Sequence, residues 1–161
     1  MTTDPSSGPL DRFVGSWSTE ATHPSLPGAV VHGTADIEWL EGEHFLIQRA
    51  RNEHPDFPNS ISIIGFTGQD RVVDDEPGSA SPSQAESPLS MHYFDSRGVF
   101  RIYHASADHQ ALRLWRDSPG FSQRFTGTFS DGDDTIVGTW QLRTDDVHWD
   151  DDLHITYRRD R

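Results

Sequence analysis

The feature that most constrains the fold is a strict alternation of apolar and polar residues in short stretches. Ala35, Ile37 and Trp39 alternate with Asp36 and Glu38, and the same period of two recurs along the chain. Turn residues separate the stretches about every eight to twelve positions. A period of two is typical of strands with one buried face. The chain is therefore predicted to be all-β.

Ten strands are predicted, with one short helical turn at 10–14. The strands are predicted at 15–23, 29–40, 44–54, 60–67, 89–95, 98–106, 110–117, 121–130, 134–143 and 151–159. Most connections are too short for crossover helices, so neighbouring strands pair antiparallel. Ten such strands remove their exposed edges by closing. We predict a closed antiparallel up-and-down β-barrel, wide enough to hold one small ligand.

Length and composition predict one domain. With 161 residues and 33% hydrophobic content, the chain can build one sizeable core but not two. Residues 1–9 are predicted to be a flexible N-terminus and 10–161 the barrel domain. The segment 68–88 is rich in proline, serine and acidic residues, so we predict a mobile loop there, with a lid as the alternative.

Charge and cysteine content exclude several classes of function. The formal net charge of -13 repels nucleic acid and anionic lipid surfaces. The chain contains no cysteine, which excludes disulfides and thiolate metal sites and is compatible with a reducing compartment. Its polar start matches neither a signal peptide nor a membrane anchor. A cytoplasmic protein is expected.

Hairpin registers decide which residues face the inside, because residues paired across a ladder share a face. A turn at 130–135 pairs Phe129 with Ile136 and Phe125 with Trp140. The inner face of the last three strands then carries mainly apolar side chains. These are Phe125, Phe129, Ile136, Trp140, Leu142, Leu153, Ile155 and Tyr157.

The hairpin around 95–98 is predicted to carry a histidine inward. A four-residue loop there pairs Tyr93 with Phe100, so His104 faces the inside and Tyr103 the outside. Such a histidine can act as a general acid or base, as an axial ligand of haem, or as a hydrogen-bonded core residue.

Two other turns place an arginine and a tryptophan on the inner face. Arg116 pairs with Phe121 across a tight turn, and a turn at 41–44 pairs Trp39 with Leu46. A guanidinium inside a barrel favours a carboxylate as its partner. The alternative is that Arg116 lies at the rim. The predicted ligand-binding residues are Trp39, Gln48, Tyr93, His104, Arg116, Gln123, Trp140 and Tyr157.

The sequence contains no recognisable metal-binding or catalytic motif that would indicate a function. The acidic runs at 131–134 and 150–152 are interpreted as hairpin ends, because neither has the spacing of a calcium loop. No serine-hydrolase, zinc-protease or nucleotide-binding motif is present. No metal site is predicted. His154 alternates with Leu153 and Ile155, so it is expected on the outside.

Two blocks of sequence resemble known barrels. Gly15, Ser16 and Trp17, with Arg158 and Arg159 on the last strand, resemble the terminal lock of calycins, the lipocalin and fatty-acid-binding superfamily. The resemblance implies a barrel with Trp17 stacked against an arginine across one end.

The second block covers 38–42, 124–131 and 135–140 and is similar to uncharacterised bacterial lipocalin-like proteins. That resemblance implies no established activity. Nitrobindins are similar in outline, which implies haem bound by a histidine near the end of the last strand, the region of His154.

Three functions follow as hypotheses. The first is a binding protein for an apolar or aromatic carboxylate, with no cofactor. The second is a haem protein that uses His104 or His154. The third is a cofactor-free isomerase, cyclase or lyase in which Tyr93 and His104 move a proton while Arg116 stabilises an enolate. A homodimer is left open.

Overall fold

The computed structural model describes residues 8–66 and 89–161, and within them ten antiparallel strands form one closed barrel. A 3-10 helix at Pro9–Phe13 precedes the first strand. The strands are β1 (Gly15–Thr22), β2 (Val31–Trp39), β3 (Phe45–Asn52), β4 (Ser60–Phe66), β5 (Leu89–Asp95), β6 (Phe100–Ala107), β7 (Ala111–Arg116), β8 (Ser122–Ser130), β9 (Thr135–Arg143) and β10 (Asp150–Arg159). The predicted barrel and its strands are confirmed. The predicted loop at 68–88 and residues 1–7 lie outside the described residues.

Because each strand reverses direction, the barrel has two distinct ends. Pairing of β1 with β10 closes the ring. The lower end carries the 3-10 helix and the connections at 40–44, 108–110 and 131–134. The upper end carries the loops at 23–30, 53–59, 96–99, 117–121 and 144–149. No helix within the described residues is long and apolar enough to cross a membrane.

The lower end is sealed around Trp17, whose side chain has no exposed surface. Its indole N–H donates to the carbonyl of Phe13 at 2.8 Å. The Arg159 guanidinium carbon lies 4.2 Å from the ring centroid and its two Nη atoms donate to the carbonyls of Val14 and Arg12 at 2.6 and 2.7 Å. The predicted contact between Trp17 and a terminal arginine is confirmed, and Arg159 makes it.

The 3-10 helix completes this seal. Phe13 packs against Phe129 with ring centroids 4.9 Å apart, and Trp39 donates its indole N–H to Asp11 Oδ1 at 2.7 Å. Trp39 was predicted to contact a ligand. It belongs instead to the floor of the barrel, because the helix occupies the space that its ring faces.

Two of the predicted hairpin registers are confirmed. Trp39 opposes Leu46 between β2 and β3, and Phe125 opposes Trp140 between β8 and β9. Between β7 and β8 the register differs by two residues, so Arg116 opposes Gln123 rather than Phe121. A shift of two leaves the inward face of β7 unchanged.

Candidate ligand-binding site

The barrel encloses a cavity of about 450 Å³ that opens toward the upper end. Small-molecule sites in proteins commonly have this size. Its lower part is apolar, lined by Phe13, Ile37, Ile64, Leu112, Phe125 and Ile136. Its mouth is polar, lined among others by His23, Asn52, Asp56, Arg97, Arg101 and Asp152. The cavity therefore combines an apolar floor with a charged opening.

Five of the predicted ligand-binding residues line this cavity. They are Gln48, Tyr93, Gln123, Trp140 and Tyr157. Burial raises the pKa of Tyr157 to about 12, and a hydrogen bond with Gln48 opposes that rise. The structure thus brings these five side chains onto one inner surface.

Two other predicted residues lie elsewhere on the upper half of the barrel. Arg116 has the predicted inward phase but sits at the upper rim, where Nη1 donates to the carbonyl of Phe121 at 3.3 Å. His104 lies on the outer wall, where its ring stacks on Trp115 with centroids 5.7 Å apart. The predicted inward position of His104 is wrong.

The error has one cause, the turn between β5 and β6. The carboxylate of Asp95 accepts the backbone N–H groups of Arg97 and Val99 at 2.9 and 3.3 Å, and Gly98 takes a φ of 83°. These contacts leave five residues, 95–99, between the paired Phe94 and Phe100, where the prediction had four residues between paired positions.

One additional loop residue reverses the whole of β6. Tyr93 now opposes Arg101 rather than Phe100, so Arg101 and Tyr103 line the cavity. Ile102 and Phe100 face solvent, with 50% and 54% of their surface exposed. A slip of one residue exchanges the two faces of a strand.

Asp95 is a buried anion next to Tyr93 and Arg97, which line the cavity, and the chain itself supplies its hydrogen-bond partners. Its side chain is fully buried and accepts hydrogen bonds from the Tyr93 hydroxyl and Arg97 Nη2, both at 2.7 Å. Burial alone raises the pKa of Asp95, but these hydrogen bonds and those from backbone N–H groups hold it well below its usual range. The pKa of Tyr93 is raised by burial and by its hydrogen bond to Asp95.

Arg101 is a cation of the mouth without such a partner. Within the described part of the chain it forms no ion pair. Its guanidinium lies close enough to the Tyr103 hydroxyl to lower the pKa of that group, and the hydroxyl donates to Gln123 Oε1 at 2.8 Å. Burial raises the pKa of Tyr103, and the charge and hydrogen bond of Arg101 oppose this rise. Phe121 covers the guanidinium at 5.2 Å.

A β-bulge turns one acidic side chain of β10 toward the mouth. The register of β10 shifts between Asp151 and His154, which brings Asp152 to the cavity. His23 Nδ1 accepts the backbone N–H of Ser25 at 3.0 Å, so Nε2 is assigned the proton and donates to Asp152 Oδ1 at 2.5 Å. Asp152 was predicted to be a solvated hairpin end, which is wrong.

No family model and no curated protein matches this chain. Its fold has solved counterparts. It is similar to the crystal structure of Rv2717c from M. tuberculosis, with 13% identity, a TM-score of 0.61, and 98% of this chain and 99% of that chain covered. It is also similar to the S-type phycobiliprotein lyase CPES from Guillardia theta, at 10% identity and a TM-score of 0.49, over 94% and 90% of the two chains. These likenesses concern the fold alone.

The histidines implied for haem do not fit a haem inside this barrel. His154 is exposed on the outer wall, as predicted from its alternation, and His104 also faces outward. His23 does line the cavity, but both of its ring nitrogens are already hydrogen-bonded. Among the described residues, no group of three histidine or acidic side chains is placed to hold a metal ion.

Proposed function

We propose that this protein binds a small organic anion with an aromatic or apolar body, and that the anionic group, a carboxylate, contacts Arg101. The inward guanidinium of Arg101 carries the proposal. A half-buried cation beside a cavity is costly unless a counter-charge or water satisfies it. Its planar fork matches a carboxylate through two parallel hydrogen bonds.

The walls beside Arg101 support an aromatic ligand body. Phe125 and Trp140 pack with ring centroids 4.9 Å apart, and Tyr103 meets the same indole edge-on at 5.5 Å. Aromatic rings favour such tilted contacts with each other. A flat ligand body can extend this cluster while its carboxylate stays at the mouth, next to the Tyr103 hydroxyl.

The test is displacement of a cavity-bound environment-sensitive dye, anilinonaphthalene sulfonate, by aromatic carboxylates and their methyl esters. For wild-type protein we expect the acid to bind about 10- to 100-fold more tightly than its ester, as charge-assisted hydrogen bonds do. The variant Arg101→Gln should lose this preference. Arg116→Gln is the matched control and should keep it.

Two outcomes contradict the proposal. One is equal binding of acid and ester by the wild type. The other is an acid preference that Arg101→Gln leaves unchanged. A preference that disappears only in Arg116→Gln assigns the anion to the rim instead.

A haem is the alternative occupant. Because His104 and His154 lie outside the barrel, we expect titration with hemin to give no Soret shift characteristic of histidine ligation. A shift that His23→Gln abolishes would establish haem binding at the mouth.

Proton-transfer catalysis is a second candidate function, and the His23–Asp152 pair favours it. The pair of Tyr93 and His104 considered from sequence is separated by the barrel wall. A histidine oriented by a carboxylate is a common general base. Deuterium exchange into enolisable aromatic ketones, followed by NMR, tests this function. Exchange lost in His23→Gln supports it, and absence of exchange in the wild type excludes it for these substrates.

A further inference from the structure

The outer wall of β4, β5 and β6 exposes large apolar side chains that touch one another. Ile61 opposes Phe94, and Phe94 opposes Phe100. The two phenyl rings stack with centroids 5.1 Å apart and an interplanar angle of 24°. Ile102 also faces outward on β6, separated from Phe100 only by the inward-facing Arg101. We call these four residues the apolar wall.

The apolar wall is large enough to form the centre of an interface. Its members are exposed by 42% (Ile61), 43% (Phe94), 54% (Phe100) and 50% (Ile102). Since such side chains each have about 200 Å² of surface, the four expose roughly 400 Å² together. A stable interface buries about 800 Å² on each partner, with an apolar centre and a polar rim.

Charge is distributed unevenly around the barrel. The outward side chains of β3 to β7 include no aspartate or glutamate. They are apolar, neutral polar, histidine or arginine side chains, and the arginines are Arg49, Arg51 and Arg113. By contrast, β1 and β2 present Glu20, Asp36 and Glu38 outward.

We propose that two copies of this chain associate through their apolar walls. A chain with a formal net charge of -13 repels another copy wherever acidic surfaces meet. Two copies that meet through the outward side chains of β3 to β7 bring no aspartate or glutamate of these strands face to face. A two-fold dimer needs only one self-complementary patch, and a flat aromatic platform can stack on its own symmetry mate.

The rim of the apolar wall fits the same partner. Arg51 projects from β3 and forms no ion pair within the described residues. Arg49, beside it, pairs with the exposed Glu38 at 2.7 Å. In a two-fold dimer these arginines lie at the edge of the interface, where they can meet exposed carboxylates that the partner carries outside its own β3 to β7 wall. An anionic membrane offers no comparable fit, because the rest of the protein is repelled by it.

The test is sedimentation velocity over a wide range of protein concentration. The wild type should sediment with twice the mass of the chain at micromolar concentrations and dissociate on dilution. Phe100→Glu places a carboxylate in the middle of the wall and should weaken association by at least about 30-fold, as loss of a central contact does. Val137→Glu is the matched control, because Val137 is 48% exposed on the outer face of β9, and it should dimerise like the wild type.

A second experiment keeps the proposal testable if Phe100→Glu does not fold. The chain has no cysteine, so Ile102→Cys introduces a single thiol. Mild oxidation should join two Ile102→Cys chains through a disulfide and leave Val137→Cys chains unjoined. A wild type that stays monomeric at high concentration overturns the proposal, whether the wall is then bare or covered by another protein. Equal cross-linking of both cysteine variants also overturns it.

Discussion

The two ends of the barrel each hold an arginine against a tryptophan at nearly the same distance, yet the two contacts differ in kind. At the lower end, Arg159 lies 4.2 Å from the buried Trp17 ring and donates to backbone carbonyls. At the upper end, Arg124 lies 4.0 Å from the half-buried Trp149 ring and bonds Gln141. Burial makes the lower contact part of the core, whereas the upper contact stays in solvent. The lower end is thus built for stability and the upper end for access.

Replacing each of the two tryptophans by alanine should give the largest difference in stability between the two ends. Trp17→Ala removes a fully buried indole and should lower the free energy of unfolding by about 3–5 kcal/mol. Trp149→Ala should lower it by less than about 1 kcal/mol, because that ring is partly solvated. Urea unfolding followed by circular dichroism measures both. Equal losses would show that the upper contact is also part of the core.

Replacing the two arginines should again destabilise the protein more at the lower end than at the upper end, but both losses should be smaller. Arg159→Gln leaves carbonyls of Arg12 and Val14 without their charged donor, which should cost about 1.5–3 kcal/mol. Arg124→Gln should cost less than about 1 kcal/mol, since exposed charged contacts contribute little. Thermal melts at matched salt concentration test this. A larger loss for Arg124→Gln contradicts the assignment of the ends.

Gly138 tests the middle of the barrel, between seal and mouth. A Cβ at this position would lie 2.6 Å from the Phe125 ring, and that ring lines the cavity. Gly138→Ala should therefore push the ring, lower stability by about 1–3 kcal/mol and weaken dye binding. Gly8→Ala is the control, because a Cβ there meets nothing within 4 Å. Unchanged dye binding in Gly138→Ala would place the dye outside this cavity.

The tyrosines give the smallest effect but report on the cavity alone. All three tyrosines of the chain line it, and the pKa of each is raised, for Tyr157 to about 12 from 10.0. Because the unfolded chain ionises first, their contribution to stability is complete below pH 10 and is lost as pH rises through the folded pKa values. Phenolate absorbance should rise later in native than in urea-unfolded protein. Coincident titration curves would show that the cavity is open to water.

The sequence predicts the fold well because strand alternation and short connections determine a closed meander. Register was predictable where opposing residues are both apolar, as for Phe129 with Ile136 and Phe125 with Trp140. In the β5–β6 hairpin, either register places both apolar and polar side chains of β6 on the inner face. Placing Phe100 inward looks better by hydrophobicity, and the sequence alone does not show that Asp95 hydrogen bonds lengthen the loop.

The site was therefore predicted only in part. Gln48, Tyr93, Gln123, Trp140 and Tyr157 follow from correct strand phases and do line the cavity. Arg101 and Tyr103 were missed with the β6 register. Asp152 was missed because nothing in an acidic run signals which residue a β-bulge turns inward. The Asp-Ser-Arg-Gly turn was the one available signal, since an aspartate before such a turn commonly caps its backbone N–H groups.

A crystal structure with a brominated aromatic carboxylate tests binding inside the barrel most directly, because the anomalous signal of bromine locates the ring independently of the protein. We expect the carboxylate within hydrogen-bonding distance of the Arg101 guanidinium and the bromine beside Phe125 and Ile136 at the cavity floor. A carboxylate bound at Arg116, or a bromine site outside the barrel, would contradict this expectation.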